Sequence, residues 1–133
     1  MLNGSCLCGG IRFEVTGPHS KIGFCHCSKC RKCSGGGYAA CITVAGEHFH
    51  WLAGEDLITA GPKHSFCRTC GAPMPEPNPK QTVYAIPIGC FDGDPALAIG
   101  DHIYVGSKAA WEVIGDNAPQ HAENGPPLAR DQT

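Results

Sequence analysis

The sequence lacks any apolar run close to the ~20 residues needed to cross a bilayer, so a helical membrane span is excluded. Its first residues, Met1-Leu2-Asn3-Gly4-Ser5-Cys6, lack a charged stretch followed by an apolar one. No secretory signal is visible there, and a cytoplasmic location is the default expectation. Charge is sparse: charged residues make up 17% and the net charge is −2. The chain-wide basic footprint of a nucleic-acid binder is therefore missing, and neither nucleic acid nor membrane is expected as a partner. The glycine run Gly35-Gly36-Gly37 has no Gly-Lys-Ser/Thr after it, so a phosphate-binding loop is not supported.

Long helical patterns are scarce as well. Glycine (18) and proline (11) are abundant and favour short strands and turns. The 133 residues suit one domain, read as 1–120, followed by a polar, proline-rich tail, 121–133, that is expected to be mobile. Strands are predicted over 11–15, 38–44 and 82–88, with a short one over 102–105. Pro87 suggests that the third of these lies at a sheet edge. Residues 49–52 and 57–60 flank Gly54-Glu55-Asp56 in a hairpin-like arrangement. Residues 109–114 fit either a short strand or a helical turn. Only Ser28–Ser34 reads as helical, at about two turns. Pro73, Pro75, Pro77 and Pro79 form a rigid connector that excludes a central strand or a helix interior.

What the chain does have is ten cysteines. Without an export signal they point to metal rather than to disulfides. Cys67-Arg68-Thr69-Cys70 is a Cys-x-x-Cys turn that aims two thiolates at one tetrahedral ion, with Gly71 supplying the tight turn behind it. Cys6-Leu7-Cys8 can supply two more. The resulting four-cysteine zinc site would tie the first strand to the middle of the chain and contribute folding energy. Cys25, Cys27 and Cys30 form a second group. Three protein ligands with one open position is the pattern of a catalytic zinc. The alternative is a second structural site closed by Cys33, which continues the spacing, or by His26.

Other residues have plainer readings. Cys41 lies in an apolar strand and reads as core, and Cys90 reads as a buried or idle thiol. Lys29, Arg31 and Lys32 surround the second cluster and could hold an anionic substrate, although short surface helices commonly carry solvated charge. His26 could relay a proton or serve as a structural donor. His48 and His50 read as surface residues and Trp111 as a packing anchor.

Taken together, Gly4-Ser5-Cys6-Leu7-Cys8-Gly9-Gly10, Cys25-His26-Cys27-Ser28-Lys29-Cys30-Arg31-Lys32, Phe66-Cys67-Arg68-Thr69-Cys70-Gly71 and His102-Ile103-Tyr104-Val105-Gly106-Ser107-Lys108 with Trp111 resemble the GFA family. That family is named for glutathione-dependent formaldehyde-activating enzyme and includes centromere protein V. The likeness runs from about Asn3 to Gln120. It implies a mainly β fold of small coiled sheets, shared with zinc proteins of the methionine sulfoxide reductase B type. It also implies two zinc ions, a structural one on Cys6, Cys8, Cys67 and Cys70 and a catalytic one on Cys25, Cys27 and Cys30. The implied activity is that of a carbon–sulfur lyase acting on a small thiol or thiol adduct such as that of glutathione.

The reading that follows is a zinc-dependent lyase in which a soft thiolate substrate meets an open three-cysteine zinc, with His26 moving a proton. Two rivals stand beside it. One is a non-enzymatic binding module in which both zincs are structural. The other is a thiol redox enzyme using Cys33 or Cys90, which would need a depressed thiol pKa and a resolving partner.

Overall fold

The structure, a computed structural model, describes residues 1–78, 80 and 82–133. Three small sheets carry the chain. The first contains β1 (Leu2–Ser5), β2 (Arg12–Val15) and β5 (Phe49–Ala53), with β2 in the middle. The second has five strands in the order β11 (Ile99–Ile103), β3 (Ile22–Cys25), β4 (Ala39–Ala45), β10 (Val83–Pro87) and β9 (Glu76–Asn78). The third joins β6 (Ile58–Ala60), β7 (Ser65–Cys67) and β8 (Pro73–Met74). The fold is therefore mainly β, as the glycine and proline content predicts.

Alternation along β2 puts Phe13 and Val15 inside and leaves Arg12 exposed. Phe13 stacks on Phe49 at 5.4 Å between centroids and meets Trp51 and Phe91 edge-on. Phe49 stacks in turn on Tyr84 at 4.0 Å, which links the first sheet to the second. Ile11, Ile42, Val44, Met74 and Ile86 are fully enclosed and complete the core. Gly4 sits so close that a Cβ there would lie 2.1 Å from the Phe13 ring and 2.7 Å from the Cys90 carbonyl oxygen.

The hairpin expected across residues 49–60 does not form. β5 pairs with β2, and β6 pairs with β7 in another sheet. Gly54, at φ 74°, and the 3-10 turn Glu55–Leu57 redirect the chain between them. Pro87 is also not on an edge strand in the simple sense, because β10 lies between β4 and β9. β9, however, pairs only as far as Ala85, so Pro87, opposite Cys41 of β4, has no strand neighbour on its β9 side. Pro73 and Pro77 fall in the short outer strands β8 and β9, and Pro79 lies outside the described residues.

Two features bring the C-terminal part of the chain to the middle. β11 runs parallel to β3, matching His102 to Phe24 and Ile103 to Cys25. The segment 121–133, expected to be mobile, is laid along the body. His121 donates its N–H to the His102 carbonyl at 2.8 Å, and His19 and Gln132 exchange two backbone hydrogen bonds of 2.9 Å.

Candidate functional site

Two matching turns build the first cluster. Cys6 N–H donates to the Ile11 carbonyl and Gly9 N–H to the Cys6 carbonyl. Sixty-one residues later, Cys67 N–H donates to the Ala72 carbonyl and Gly71 N–H to the Cys67 carbonyl. Gly9 and Gly71 both take φ 77°, which side chains other than glycine's rarely adopt. The turns face one another and bring the Sγ atoms of Cys6, Cys8, Cys67 and Cys70 within 4.8 Å of each other. A tetrahedral ion with bonds of about 2.3 Å needs sulfurs about 3.8 Å apart. The Cys6–Cys8 and Cys8–Cys67 sulfur separations are 3.5 and 3.9 Å, so the cluster fits such an ion. Cys70 is held near 6 by the Ala72 N–H foremost, which favours the thiolate that a cation requires.

The second cluster sits where β3 ends and α1 (Ser28–Ser34) begins. Cys27 caps the helix, its Sγ accepting from the Cys30 N–H at 3.3 Å, and Gly35 ends it at φ 73°. The cap turns Cys27 and Cys30 toward Cys25, and all three Sγ atoms lie within 4.8 Å. No fourth cysteine, histidine or carboxylate among the described residues joins them. Cys25 is brought down to about 6, chiefly by hydrogen bonding with Cys30, helped by the Cys27 N–H and the Lys63 cation against the opposing effect of burial. Cys30 moves upward in return, through that same bond and its burial.

Beside these thiols lies a cavity of about 700 Å³ whose walls include Cys25, Cys30, Cys33, Tyr38, Met74 and Ile88. Its size suits a small organic ligand.

A sequence model of the family described as glutathione-dependent formaldehyde-activating enzyme matches residues 1–107. The chain belongs to the GFA family. A curated Halomonas elongata protein named "Putative glutathione-dependent formaldehyde-activating enzyme" is 31% identical over 128 residues, covering 86% of this chain and 81% of that protein. Among solved structures, the crystal structure of a Rhodobacter sphaeroides protein is similar in fold, with a TM-score of 0.53. It is 24% identical and is matched over 71% of this chain and 91% of its own.

In this GFA-family chain both cysteine clusters could hold a metal ion. The remaining site residues are distributed less simply. Cys33 is half-buried on the cavity wall but outside the three-thiol group. His26 does not face the cavity. It is fully buried, and its Nε2 lies 2.8 Å from His102 Nδ1. His102 Nε2 lies 3.0 Å from an Asp116 carboxylate oxygen. Asp116 accepts from His102 Nε2–H, so His102 Nδ1 is left to accept from His26 Nε2–H. Burial, above all, keeps the His26 pKa below the ordinary value for imidazole. Lys29, Arg31 and Lys32 are not among the cavity-lining residues; the cations there are Lys63 and Arg130. Neither stood out in the sequence, since Lys63 is on a turn and Arg130 is in the tail. Cys41 faces the cavity rather than the core and is pushed up to about 11 by burial, which leaves it a protonated thiol. Burial likewise lifts Cys90 to about 12. Those values oppose the redox reading at Cys90. Trp111 is 68% exposed and anchors no core. No helix among the described residues is long and apolar enough to cross a membrane.

Proposed function

We propose that this protein is a zinc-dependent carbon–sulfur lyase that forms or cleaves a small thiol adduct, of the S-hydroxymethyl-glutathione type, at Cys25, Cys27 and Cys30. The observation that carries the reading is the convergence of three thiols without a fourth donor among the described residues, two of which, Cys25 and Cys30, line a cavity of about 700 Å³. The Cys6, Cys8, Cys67 and Cys70 set, with four donors, takes the structural zinc.

Bound at the three-thiol site, zinc supplies a position that favours a soft sulfur donor. The protein's own contribution is to hold Cys25, Cys27 and Cys30 in one arrangement. The cap on α1 fixes Cys27 and Cys30 relative to each other. Pairing of β3 with β4 and β11 fixes Cys25. His26, anchored through His102 to Asp116, braces the turn between Cys25 and Cys27 from behind. Tyr38, Met74, Val83 and Ile88 give the cavity its apolar wall. In the synthetic direction the thiol sulfur bonds to the aldehyde carbon, and the thiol proton ends on the former carbonyl oxygen. Cleavage is the reverse.

The test is exchange NMR on glutathione and formaldehyde at equilibrium with zinc-loaded protein. Faster exchange between free and S-hydroxymethyl glutathione is expected, together with its loss in Cys27→Ser. An exchange rate equal to that without protein would remove the lyase reading.

A further inference from the structure

Residues 108–133 lie beyond the stretch matched by the family model, yet they complete the cavity. The chain is pinned at the start of this segment by Pro119 and His121 on His102, by Ala122 on Gly106 and by Glu123 on Tyr104. It is pinned at the end by the reciprocal His19–Gln132 backbone bonds. Between these points, Asn124 to Leu128 and Arg130 form one wall of the cavity that holds Cys25 and Cys30. The Leu128 side chain packs so close to Gly100 that a Cβ there would meet it at 2.7 Å. The segment is thus a strap held at both ends, and Pro126-Pro127 stiffens its middle.

The strap brings a charge to the cavity. Arg130 lines it from the tail and Lys63 from the turn between β6 and β7. Both are exposed, and no ion pair among the described residues engages either. Lys63 lines the same cavity as Cys25 and Cys30. Two carboxylates also line the cavity, Glu76 and Asp101. Asp101 is buried and is turned toward His121, whose Nε2 lies 3.9 Å from its carboxylate. Glu76 is half-buried. With Asp101 turned to His121, the two cations and Glu76 complement a peptide-like thiol that carries two carboxylates and one ammonium.

We propose that the strap 124–130, through Arg130 acting with Lys63, makes the cavity selective for carboxylate-bearing thiols over neutral ones. This rests on the lyase reading for the position of the thiol but concerns a different part of the ligand. Arg130 presents a planar donor fork suited to a carboxylate, and Lys63 adds a point charge nearer the metal-ligand end.

The experiment is calorimetric titration of zinc-loaded protein with glutathione and with 2-mercaptoethanol. The wild type should bind glutathione more tightly. Arg130→Gln and Lys63→Gln should each weaken glutathione about fivefold, the scale of one solvent-accessible ion pair, and leave 2-mercaptoethanol unchanged. A chain ending at Gly125 keeps the bonds from Pro119 to Glu123 and should lose the preference altogether. Glutathione affinity at the wild-type level in both glutamine variants would overturn the proposal while leaving the lyase reading intact. Failure of both thiols to bind the wild type would instead overturn the lyase reading, and this inference with it.

Discussion

His26 Nε2 and His102 Nδ1 are 2.8 Å apart inside the protein, joining the turn that carries two thiols to a strand seventy-six residues away. Both rings are buried and the pair ends on Asp116 at 3.0 Å. His102 also lies flat against Phe24, with centroids 4.8 Å apart. The contact accounts for two histidines at once and ties the β11 strand to the loop that holds Cys25 and Cys27.

His102→Ala should destabilise the protein by about 1–3 kcal/mol, because it leaves a buried imidazole N–H without an acceptor. Thermal unfolding of the zinc-loaded variant measures this. A melting temperature equal to that of the wild type would count against the pairing.

The same network predicts a protonation state. His26 should stay neutral, with its proton on Nε2, at pH values where an ordinary histidine is charged. Its native pKa is depressed by burial, so the unfolded chain takes up a proton below about 6.5 that the native protein does not. The stability that His26 contributes is present above that value and is lost as the pH falls through it. Nitrogen shifts of labelled histidine, followed from pH 8 to pH 5, report both tautomer and charge.

Removing one ligand of the four-thiol cluster should damage folding. In Cys67→Ser the melting temperature should fall by about 10 °C or more, since about 3 kcal/mol is a modest share of the metal's contribution. Metal content should drop with it. Cys67 is completely buried, so Cys70→Ser, at a half-buried position, separates loss of metal from damage to the core.

The two clusters should part with metal unequally. Three protein bonds hold less firmly than four, so a mild chelator should strip the Cys25, Cys27 and Cys30 site first. A folded protein carrying about one zinc is then expected. Metal analysis after graded chelation, with circular dichroism on the same samples, reads this out. Simultaneous loss of both ions would argue that the second site is closed.

A packing prediction is independent of metal. Gly4→Ala should cost about 1–3 kcal/mol, because the added methyl meets the Phe13 ring and the Cys90 carbonyl. Denaturant unfolding of the variant tests it.

Much of the site could be read from the sequence because thiol spacing encodes short-range geometry. The Ser28–Ser34 helix, the Cys25, Cys27 and Cys30 group and each half of the four-cysteine group follow from neighbours a few residues apart. Strands with clear alternation, such as β2, were legible for the same reason. Pairing between distant segments was not. Residues 49–53 and 58–60 have the local pattern of a hairpin, but Gly54 lies against the Gly10 backbone and sends the strands into different sheets. The cations followed a similar rule. Lys29, Arg31 and Lys32 adjoin the thiols in sequence, whereas Lys63 and Arg130 reach the cavity only through tertiary placement. His26 was visible as a histidine between two cysteines, but its inward direction depends on His102 and Asp116.

The parallel pairing of β11 with β3 bears on the order in which a nascent chain can mature. The four-thiol cluster has all its donors once Cys70 has been synthesised. The three-thiol turn is made earlier, yet its backing strand, its buried histidine partner and the far wall of its cavity come from residues 99–130. Such long-range contacts form slowly and only after the intervening chain exists. During translation the four-thiol group can therefore come together while the three-thiol group still lacks the part of its cavity wall that residues 99–130 contribute.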